Sequence, residues 1–401
     1  MIKTVFSKGK LVAKTGNEVM AEAMRQIEPD VVAAYPITPA TEIVQIFSQF
    51  VADGVVKSEY VAVESEHSAM SATIAASAAG ARAMTGTSSQ GLCLMWEMLY
   101  IASGLRLPIV MAEVNRAISA PVNIHADQSD TMGARDSGWI QIYSENSQEA
   151  YDNMIQATRI AEKAKLPILV TTDGFIISHC MEVVELYPDA DVRAFVGEYK
   201  PERYLLDTKK PYTLGAIDLQ DYYFEHRFQL ADAMRNSKDI ILEVAKDFEK
   251  TFGRKYEMYE KFMLADAEIA IVVIGSTAGT AKVVVKELRE KGIKAGLLKI
   301  RVFRPFPTGQ IAKDLAHVKA MAVLDRADSC SGAFAPVYSD VVSSLYAAGV
   351  TAPKVVNYVY GLGGREINTT HIAEVYETLG KIASGSQKPA NQVEYINVRK
   401  K

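Results

Sequence analysis

Short apolar runs alternate with helical patterns through the first half of the chain. The runs lie at residues 31–35, 60–63, 83–87, 108–114 and 167–172. Each has the length and apolar content of a buried strand, and the stretches between them are long enough for helices. This alternation predicts a parallel β-sheet covered by helices.

The second half resumes the alternation after an interruption. From about residue 183 to residue 211 the sequence is irregular and polar, and a charged helical pattern follows at 221–263. Beyond it the pattern predicts strands at 269–275, 295–300, 320–325 and 354–360, and helices at 278–291 and 336–348. The predicted fold class is therefore α/β with two parallel-sheet domains, residues 1–240 with a connector from about 183, and residues 241–401.

Composition narrows the possible partners. The 401 residues include 44 basic and 48 acidic side chains, a net charge of −4. This balance disfavours nucleic acid or a membrane as partner. The three cysteines lie far apart without a CxxC motif, which is typical of a reducing compartment and disfavours an iron–sulfur or zinc site built by this chain alone. Because no signal peptide and no apolar run of about 18 residues is present, we expect a cytoplasmic protein.

The stretch 59–91 places a carboxylate at the junction of a predicted strand and a predicted helix. The helix, residues 68–82, consists almost entirely of Ala, Ser and Gly. At this junction Glu66 would lie near the positive end of the helix dipole, which makes it a candidate for chemistry. The alternative is that Glu64 or Glu66 only caps the helix, and the local pattern alone favours that interpretation.

Two more strand ends carry candidate residues. Residues 35–39 (YPITP) contain two prolines that fix the backbone and would hold the Thr38 hydroxyl in one direction. Arg116 follows another strand, and its guanidinium could grip a carboxylate through two parallel hydrogen bonds. The alternative is that the arginines of this loop only order it by pairing with its acids; the residues concerned are Arg116, Arg135, Asp127, Asp130 and Asp136.

Other motifs are weaker. Residues 275–279 (GSTAG) follow a strand but lack the GxGxxG spacing that brings backbone amides onto a pyrophosphate, and we interpret 361–364 (GLGG) as a turn. His67, His125 and His179 are scattered and are interpreted as structural. We therefore expect no metal ligands in this chain.

Nine motifs taken together carry a family resemblance. In chain order they are YPITP, VESEHSA, TSSQG, NRAISAPVNI, SDTMGARDSGWIQ, SENSQEA, DGFIISH, IRVFRPFP and GLGGRE. Over residues 16–365 the chain resembles the α subunit of the 2-oxoacid:ferredoxin oxidoreductase family, and the pyruvate enzymes are the most similar members. Enzymes of this family use thiamine diphosphate, coenzyme A and iron–sulfur clusters to convert a 2-oxoacid reversibly into an acyl-CoA, CO2 and reduced ferredoxin.

The resemblance implies a domain of the pyrimidine-binding thiamine type followed by a domain like the C-terminal part of transketolase. It also implies roles for single residues. Glu66 would hydrogen-bond N1′ of the aminopyrimidine, Pro36 and Ile37 would contact the cofactor, and Thr38 and Arg116 would hold the substrate. A dry carboxylic acid of raised pKa suits the first role, because it can share a proton with N1′.

The resemblance also implies partners. The chain lacks a GDG motif followed by an asparagine, the pattern expected for Mg2+ and diphosphate binding. We therefore expect a β subunit that carries the diphosphate and Mg2+ site and a cluster, further γ- and δ-type subunits, and ferredoxin. All iron–sulfur clusters would lie in these partners, and the active site would form an interface at which the small-residue helix after Glu66 permits close approach.

Pyruvate is the expected substrate, with branched-chain 2-oxoacids and 2-oxoglutarate as alternatives. Oxalate is disfavoured because Thr38 stands where an extra cation would be expected, unless Arg135 reaches the site. Two alternatives belong to other classes. A non-catalytic scaffold subunit would function without Glu66, and a stand-alone NAD-dependent dehydrogenase would bind NAD as an isolated chain.

Overall fold

The computed structural model describes residues 7–399. The elements of the first half, in chain order, are β1 (Lys10–Thr15), α1 (Gly16–Ile27), β2 (Val31–Ala34), α2 (Thr41–Ala52), β3 (Glu59–Ala62), α3 (Glu66–Ala79), β4 (Ala83–Thr87), α4 (Gln90–Leu94), α5 (Trp96–Gly104), β5 (Val110–Asn115), α6 (Ser129–Gly133), β6 (Ile140–Tyr143), α7 (Ser147–Ala164), β7 (Ile168–Asp173), β8 (Met181–Leu186) and α8 (Asp189–Val196).

The second half begins with the longest helix. Its elements are α9 (Tyr223–Phe252), β9 (Tyr259–Phe262), β10 (Ile269–Ile274), α10 (Thr277–Glu290), β11 (Ala295–Ile300), β12 (Val302–Arg304), α11 (Thr308–Leu315), β13 (Ala320–Asp325), α12 (Pro336–Ala347), β14 (Lys354–Val359), α13 (Thr369–Ser384) and β15 (Glu394–Tyr395). Single 3-10 turns occur at Ala134–Asp136 and Leu362–Gly364.

Two sheets organise the molecule. The first has the strand order β12-β6-β7-β5-β4-β2-β3 and the second the order β15-β14-β13-β10-β11-β9. All neighbours are parallel except the edge strands β12 and β9, which pair antiparallel with β6 and β11. The predicted α/β class with two parallel-rich sheets is thus confirmed, and the antiparallel edges are additions to the prediction.

The polar stretch after residue 183 is only partly the irregular connector that the sequence predicted. Strand β8 covers its start and pairs with β1 in a separate antiparallel ribbon, and α8 follows. In β8 an exposed Val183 precedes a buried Val184, so the strand presents one face to solvent and gives a weak apolar signal. The predicted domain boundary at 240 falls inside α9 and remains a prediction.

The two sheets share packing and charge contacts. One apolar cluster contains Val170 of the first sheet together with Val272 and Leu298 of the second sheet. On β11 the Lys299 ammonium lies 2.7 Å from a carboxylate oxygen of Glu145 and 2.5 Å from one of Glu149, both in the first half. These contacts fix one sheet relative to the other.

Lys299 also bears on the question of a metal site. Glu145, Glu149 and Glu260 form the one acidic group in residues 7–399 whose ligand atoms lie close enough together to hold a metal ion. The Lys299 ammonium contacts all three carboxylates and supplies the positive charge there. Among the described helices, none is both long and apolar enough to cross a membrane.

Candidate active site

Four neighbouring strands of the first sheet end at the same edge. In the order β5-β4-β2-β3 they are parallel, with neighbours about 4.8 Å apart. The segments that leave these ends are residue 116, residues 88–91, residues 35–39 and residues 63–66. The topology therefore brings the predicted YPITP, Glu66 and Arg116 segments to one edge, which is where ligands bind in open α/β sheets.

Glu66 is the first residue of α3, and its side chain is turned into the protein. The residue is 6 % exposed. The capping role belongs to Ser65, whose hydroxyl accepts a hydrogen bond from the backbone N–H of Ser68 at 3.2 Å. Glu64 is exposed and accepts from the Ser68 hydroxyl. The alternative interpretation of Glu64 or Glu66 as the helix cap is therefore wrong, and Glu66 is free for another role.

Gly91 makes room for the Glu66 carboxylate. A Cβ atom on Gly91 would lie 2.8 Å from Oε1 of Glu66 and 2.3 Å from the Thr87 hydroxyl oxygen. None of the side-chain hydrogen bonds within residues 7–399 ends on the Glu66 carboxylate, and Thr87 Oγ1 and Gln90 Nε2 are buried without a partner. A buried acid beside unpaired polar groups fits an aminopyrimidine, which offers a ring nitrogen and an amino group for hydrogen bonding.

The turn between β4 and α4 is strained. Ser89 has φ 49° and ψ −117°, a region that costs a non-glycine residue about 1–3 kcal/mol. Two buried contacts hold it there: its N–H donates to Asp130 at 3.1 Å and its hydroxyl donates to the carbonyl of Ala117 at 2.6 Å. Strain of this kind concentrates at functional sites, and here it sets the position of Gly91 beside Glu66.

Arg116 reaches across the end of β4 to the YPITP segment. Its Nη1 donates to the carbonyl oxygen of Thr38 at 2.9 Å, and its Nε donates to the carbonyl oxygen of Asn123 at 2.9 Å. Thr38 and Pro36 are exposed and Ile37 is half-buried. The structure therefore joins Thr38 and Arg116 directly, and it leaves the Thr38 side chain open to a ligand.

The alternative of loop-ordering ion pairs fails for Arg116. No carboxylate of residues 7–399 lies within 4.0 Å of its guanidinium, and only its backbone N–H contacts Asp130, at 2.9 Å. Arg135, in contrast, has partners within its own loop: it pairs with Asp136 at 3.8 Å and donates to the carbonyl of Met132. Of the two arginines, Arg116 is the one placed to meet an anion.

Two buried acids lie beneath this edge, and the sequence reasoning did not single them out as a pair. Burial and the charge of Asp130 raise the pKa of Glu113 well above its ordinary value. Burial also raises the pKa of Asp130 to about 6, against the hydrogen bonds that it accepts from Arg116, Asn115 and Thr131. Both Glu113 oxygens lack a donor partner, and the neighbouring Asp130 carboxylate adds to the rise of the Glu113 pKa. The signal was available, since Glu113 interrupts an otherwise apolar strand.

The GSTAG loop, residues 275–279, forms hydrogen bonds with a carboxylate of the same chain. The backbone N–H and the hydroxyl of Ser276 donate to Asp173 at 2.9 and 2.5 Å, and Arg326 pairs with the same carboxylate at 3.0 Å. Asp173 thus occupies the position at which a phosphate would bind. This geometry disfavours the NAD-dependent alternative. It also shows that the carboxyl ends of β7, β10 and β13 face one another.

Two family models match the chain. The one described as "Pyruvate flavodoxin/ferredoxin oxidoreductase, thiamine diP-bdg" covers residues 22–246, and "Pyruvate:ferredoxin oxidoreductase core domain II" covers residues 267–372. The chain belongs to the pyruvate flavodoxin/ferredoxin oxidoreductase family. This membership confirms the family and the oxidoreductase class predicted from the nine motifs.

Curated relatives of this family match the chain end to end. Pyruvate synthase subunit PorA of Thermotoga maritima is 55% identical over 97% of this chain and 98% of its own length. PorA of Methanothermobacter thermautotrophicus is 42% identical over 96% and 97%. Ketoisovalerate oxidoreductase subunit VorA of Pyrococcus abyssi is 41% identical, again over 96% and 97%.

Solved structures confirm the fold of this family. One is a 2-oxoglutarate:ferredoxin oxidoreductase from Magnetococcus marinus with 2-oxoglutarate, coenzyme A and succinyl-CoA bound. It matches with a TM-score of 0.70 and 20% identity, and the match covers 92% of this chain and 65% of that chain. A split-gene transketolase, an inactive β4 tetramer, has a TM-score of 0.55 at 10% identity over 92% of this chain and 98% of that chain. The roles of Glu66, Thr38, Arg116, Pro36 and Ile37 remain predictions.

Proposed function

We propose that this chain is the α subunit of a pyruvate synthase, which converts pyruvate and coenzyme A into acetyl-CoA and CO2 and reduces ferredoxin, reversibly. The observation that carries the proposal is the carboxylate of the largely buried residue Glu66, which has no hydrogen-bond partner within residues 7–399 and lies on the same sheet edge as an Arg116 guanidinium without a carboxylate partner. The 55% identity to a PorA subunit supports pyruvate as the substrate.

Thiamine diphosphate with Mg2+ is the cofactor in this proposal. When bound, it supplies the carbon nucleophile and the electron sink that a 2-oxoacid needs in order to lose CO2. Glu66 would hold the aminopyrimidine ring and exchange a proton with its ring nitrogen, while Pro36 and Ile37 would lie against the ring. Gly91 would leave the space that the Glu66 carboxylate needs.

Thr38 and Arg116 would bind the substrate. The guanidinium is oriented by two carbonyl oxygens, and its Nη2 donates to no group of the described residues, so a donor is left for the carboxylate of pyruvate. The exposed Thr38 hydroxyl would meet the 2-oxo group. Holding the carboxylate this way fixes which bond breaks, because orientation at the reacting centre lowers the barrier.

Partner subunits would complete the site. Cys93, Cys180 and Cys330 are free and exposed, and none belongs to a ligand group within the described part of the chain. This supports iron–sulfur clusters carried by partners, with a β subunit that holds the diphosphate and Mg2+, γ- and δ-type subunits, and ferredoxin as the acceptor. Coenzyme A would be the co-substrate, and the cytoplasm the compartment.

A comparison of substrates tests the proposal. The complex, purified by a tag on this chain, is supplied with coenzyme A and ferredoxin and with pyruvate, 2-oxoisovalerate, 2-oxoglutarate or oxalate. We expect the highest kcat/KM for pyruvate. A higher value for 2-oxoisovalerate would instead support the branched-chain function, which the 41% identity to VorA makes the second candidate. Turnover of none of the four would contradict the proposal.

A further inference from the structure

The loop after Arg116 is held by two different parts of the molecule. Its first residue, Ala117, is bound within the first domain, where the carbonyl of Ala117 accepts from the Ser89 hydroxyl. Residues 119–122, which follow, are exposed. The rest of the loop, residues 123–128, is bound mainly by residues that leave the ends of strands β13 and β14 of the second sheet.

Residues 361–364, which the sequence analysis interpreted as a turn, make most of these contacts. Asn123 Nδ2 donates to the carbonyl of Gly363 at 3.1 Å, and the Gly364 N–H donates to the carbonyl of Ala126 at 2.8 Å. The Gly363 N–H donates to Asp127 at 3.4 Å. One short segment thus binds three successive parts of the loop.

The glycines are required by this contact. Gly363 and Gly364 have φ values of 58° and 77°, in the left-handed region that favours glycine. A Cβ atom on Gly363 would lie 2.5 Å from Asn123 Nδ2, and one on Gly364 would lie 2.5 Å from the Cβ of His125. The loop would have to move to admit either atom.

Asn123 connects this contact to the substrate site. Its side chain binds Gly363, and its carbonyl oxygen accepts from Nε of Arg116 at 2.9 Å. Of the two acceptors that orient the guanidinium, one therefore belongs to the YPITP segment and the other to a loop held by the second domain. Displacing Asn123 would leave Arg116 with one carbonyl partner and free to rotate.

We propose that Asn123, Gly363 and Gly364 are positioning residues through which the second domain sets the direction of the Arg116 guanidinium and so the affinity for the 2-oxoacid carboxylate. This inference rests on the proposed function, because it assigns the binding of that carboxylate to Arg116. The second domain then contributes to substrate binding without touching the substrate.

The test uses Gly364→Ala and the milder Asn123→Ala in the assembled complex. Gly385→Ala is the matched control, because Gly385 has φ 79° but no atom within 4 Å of its would-be Cβ. We expect KM for pyruvate to rise about tenfold or more in both test variants, with little change in kcat or in KM for coenzyme A. Gly385→Ala should lower Tm through its backbone strain alone and leave KM unchanged.

A double-mutant cycle separates positioning from general damage. Once Arg116→Ala is in place, adding Gly364→Ala should raise KM no further, because both changes act on the same interaction. An equal rise of KM in both backgrounds would overturn the inference, as would an unchanged KM in Gly364→Ala and Asn123→Ala.

Hydrogen exchange distinguishes a failure of this inference from a failure of the proposed function. In Gly364→Ala the amide of Ala117, which donates to the carbonyl of His125, should exchange faster than in Gly385→Ala. If Arg116→Ala itself leaves KM unchanged, the proposed role of Arg116 is wrong. If Arg116→Ala raises KM but exchange at residues 117–128 is unaltered in Gly364→Ala, the positioning role is wrong.

Discussion

At the scale of single residues, the site depends on which polar groups find partners inside the chain. The Glu66 carboxylate and the Nη2 group of Arg116 form no hydrogen bond within residues 7–399, and neither do Thr87 Oγ1, Gln90 Nε2 or the two Glu113 oxygens. Asp130, by contrast, accepts from Asn115, Arg116 and Thr131. Buried polar groups without partners are uncommon in folded proteins and are explained at functional sites by a ligand. Among the unpaired groups of this site, the Glu66 carboxylate and the Arg116 guanidinium are the two that the proposed chemistry uses.

Replacing Arg116 by alanine tests the binding of the substrate carboxylate. The variant loses a charge-assisted hydrogen bond, so we expect KM for pyruvate to rise and kcat/KM to fall. The fall in kcat/KM should correspond to a loss of about 2–4 kcal/mol in transition-state stabilisation. Steady-state kinetics of the assembled complex measure this. Arg135→Ala is the control, because Arg135 only pairs with Asp136 and the carbonyl of Met132. Equal kinetics in the two variants would refute the assignment.

Replacing Glu113 by glutamine tests the buried acid pair through the pH dependence of stability. The folded-state pKa values of Glu113 and Asp130 are both raised, so the folded chain holds protons that the unfolded chain releases. The two acids therefore make their full contribution to the free energy of unfolding below about pH 4. The contribution of Asp130 is lost as the pH rises from 3.8 to about 6, and that of Glu113 is lost as the pH rises above 4.5.

Glutamine cannot ionise, and its amide offers a donor to Asp130. We therefore expect Tm to fall less between pH 5 and pH 8 in Glu113→Gln than in the unaltered chain. Thermal unfolding followed by circular dichroism at both pH values measures the difference. Glu64→Gln, a change at an exposed acid, should keep the original pH dependence. If Glu113→Gln also keeps it, Glu113 is not the protonated partner of Asp130.

At the scale of secondary-structure elements, the junction of β4 and α4 controls Glu66. Gly91→Ala should lower kcat by roughly 100-fold, since its Cβ would push against Glu66 Oε1 and a displacement of about 1 Å at a catalytic group can cost this much. Kinetics of the assembled complex provide the measurement. Gly104→Ala has nothing within 4 Å of the new Cβ and should retain activity. Full activity in Gly91→Ala would mean that the carboxylate position is not critical.

The sequence predicted those elements whose signal is local. The strand ends at β2, β3 and β5 were visible as apolar runs followed by polar residues, and this was enough to bring Glu66, Thr38 and Arg116 to one edge of a sheet. Strands β6 and β12 escaped prediction because they are short and lie at or next to a sheet edge, where tertiary pairing decides. Strand β8 escaped prediction because it presents one face to solvent and gives a weak apolar signal. The use of Ser65 as the cap of α3 depended on the direction of side chains, which periodicity does not give.

At the scale of the whole molecule, contacts between distant parts of the chain were beyond prediction. Asn123 and Gly363 are 240 positions apart, and nothing in either segment alone reveals that they touch. The same is true of Asp173 and Arg326, and of Lys299 with Glu145. These contacts fix the second domain against the carboxyl edge of the first sheet.

The proposed site is open on the side that a partner would cover. Leu94, Trp96 and Ile101 on α4 and α5, close to Gly91 in the chain, are large and exposed. The chain offers an acid for an aminopyrimidine and an arginine for a carboxylate. In the proposed complex, the diphosphate, Mg2+ and the clusters belong to other subunits. The proposed enzyme is an assembly of subunits, so the decisive test is made on the assembled complex.

That test is the effect of Glu66→Gln on pyruvate-dependent ferredoxin reduction by the complex purified through this chain. Glutamine keeps the shape of Glu66 and removes its ability to exchange a proton, so we predict a fall in kcat of about 10²- to 10⁴-fold with the complex intact. Glu64→Gln, at the exposed neighbouring acid, should retain nearly full activity. Comparable activity in the two variants would contradict the claim that this chain supplies the catalytic acid of a thiamine site.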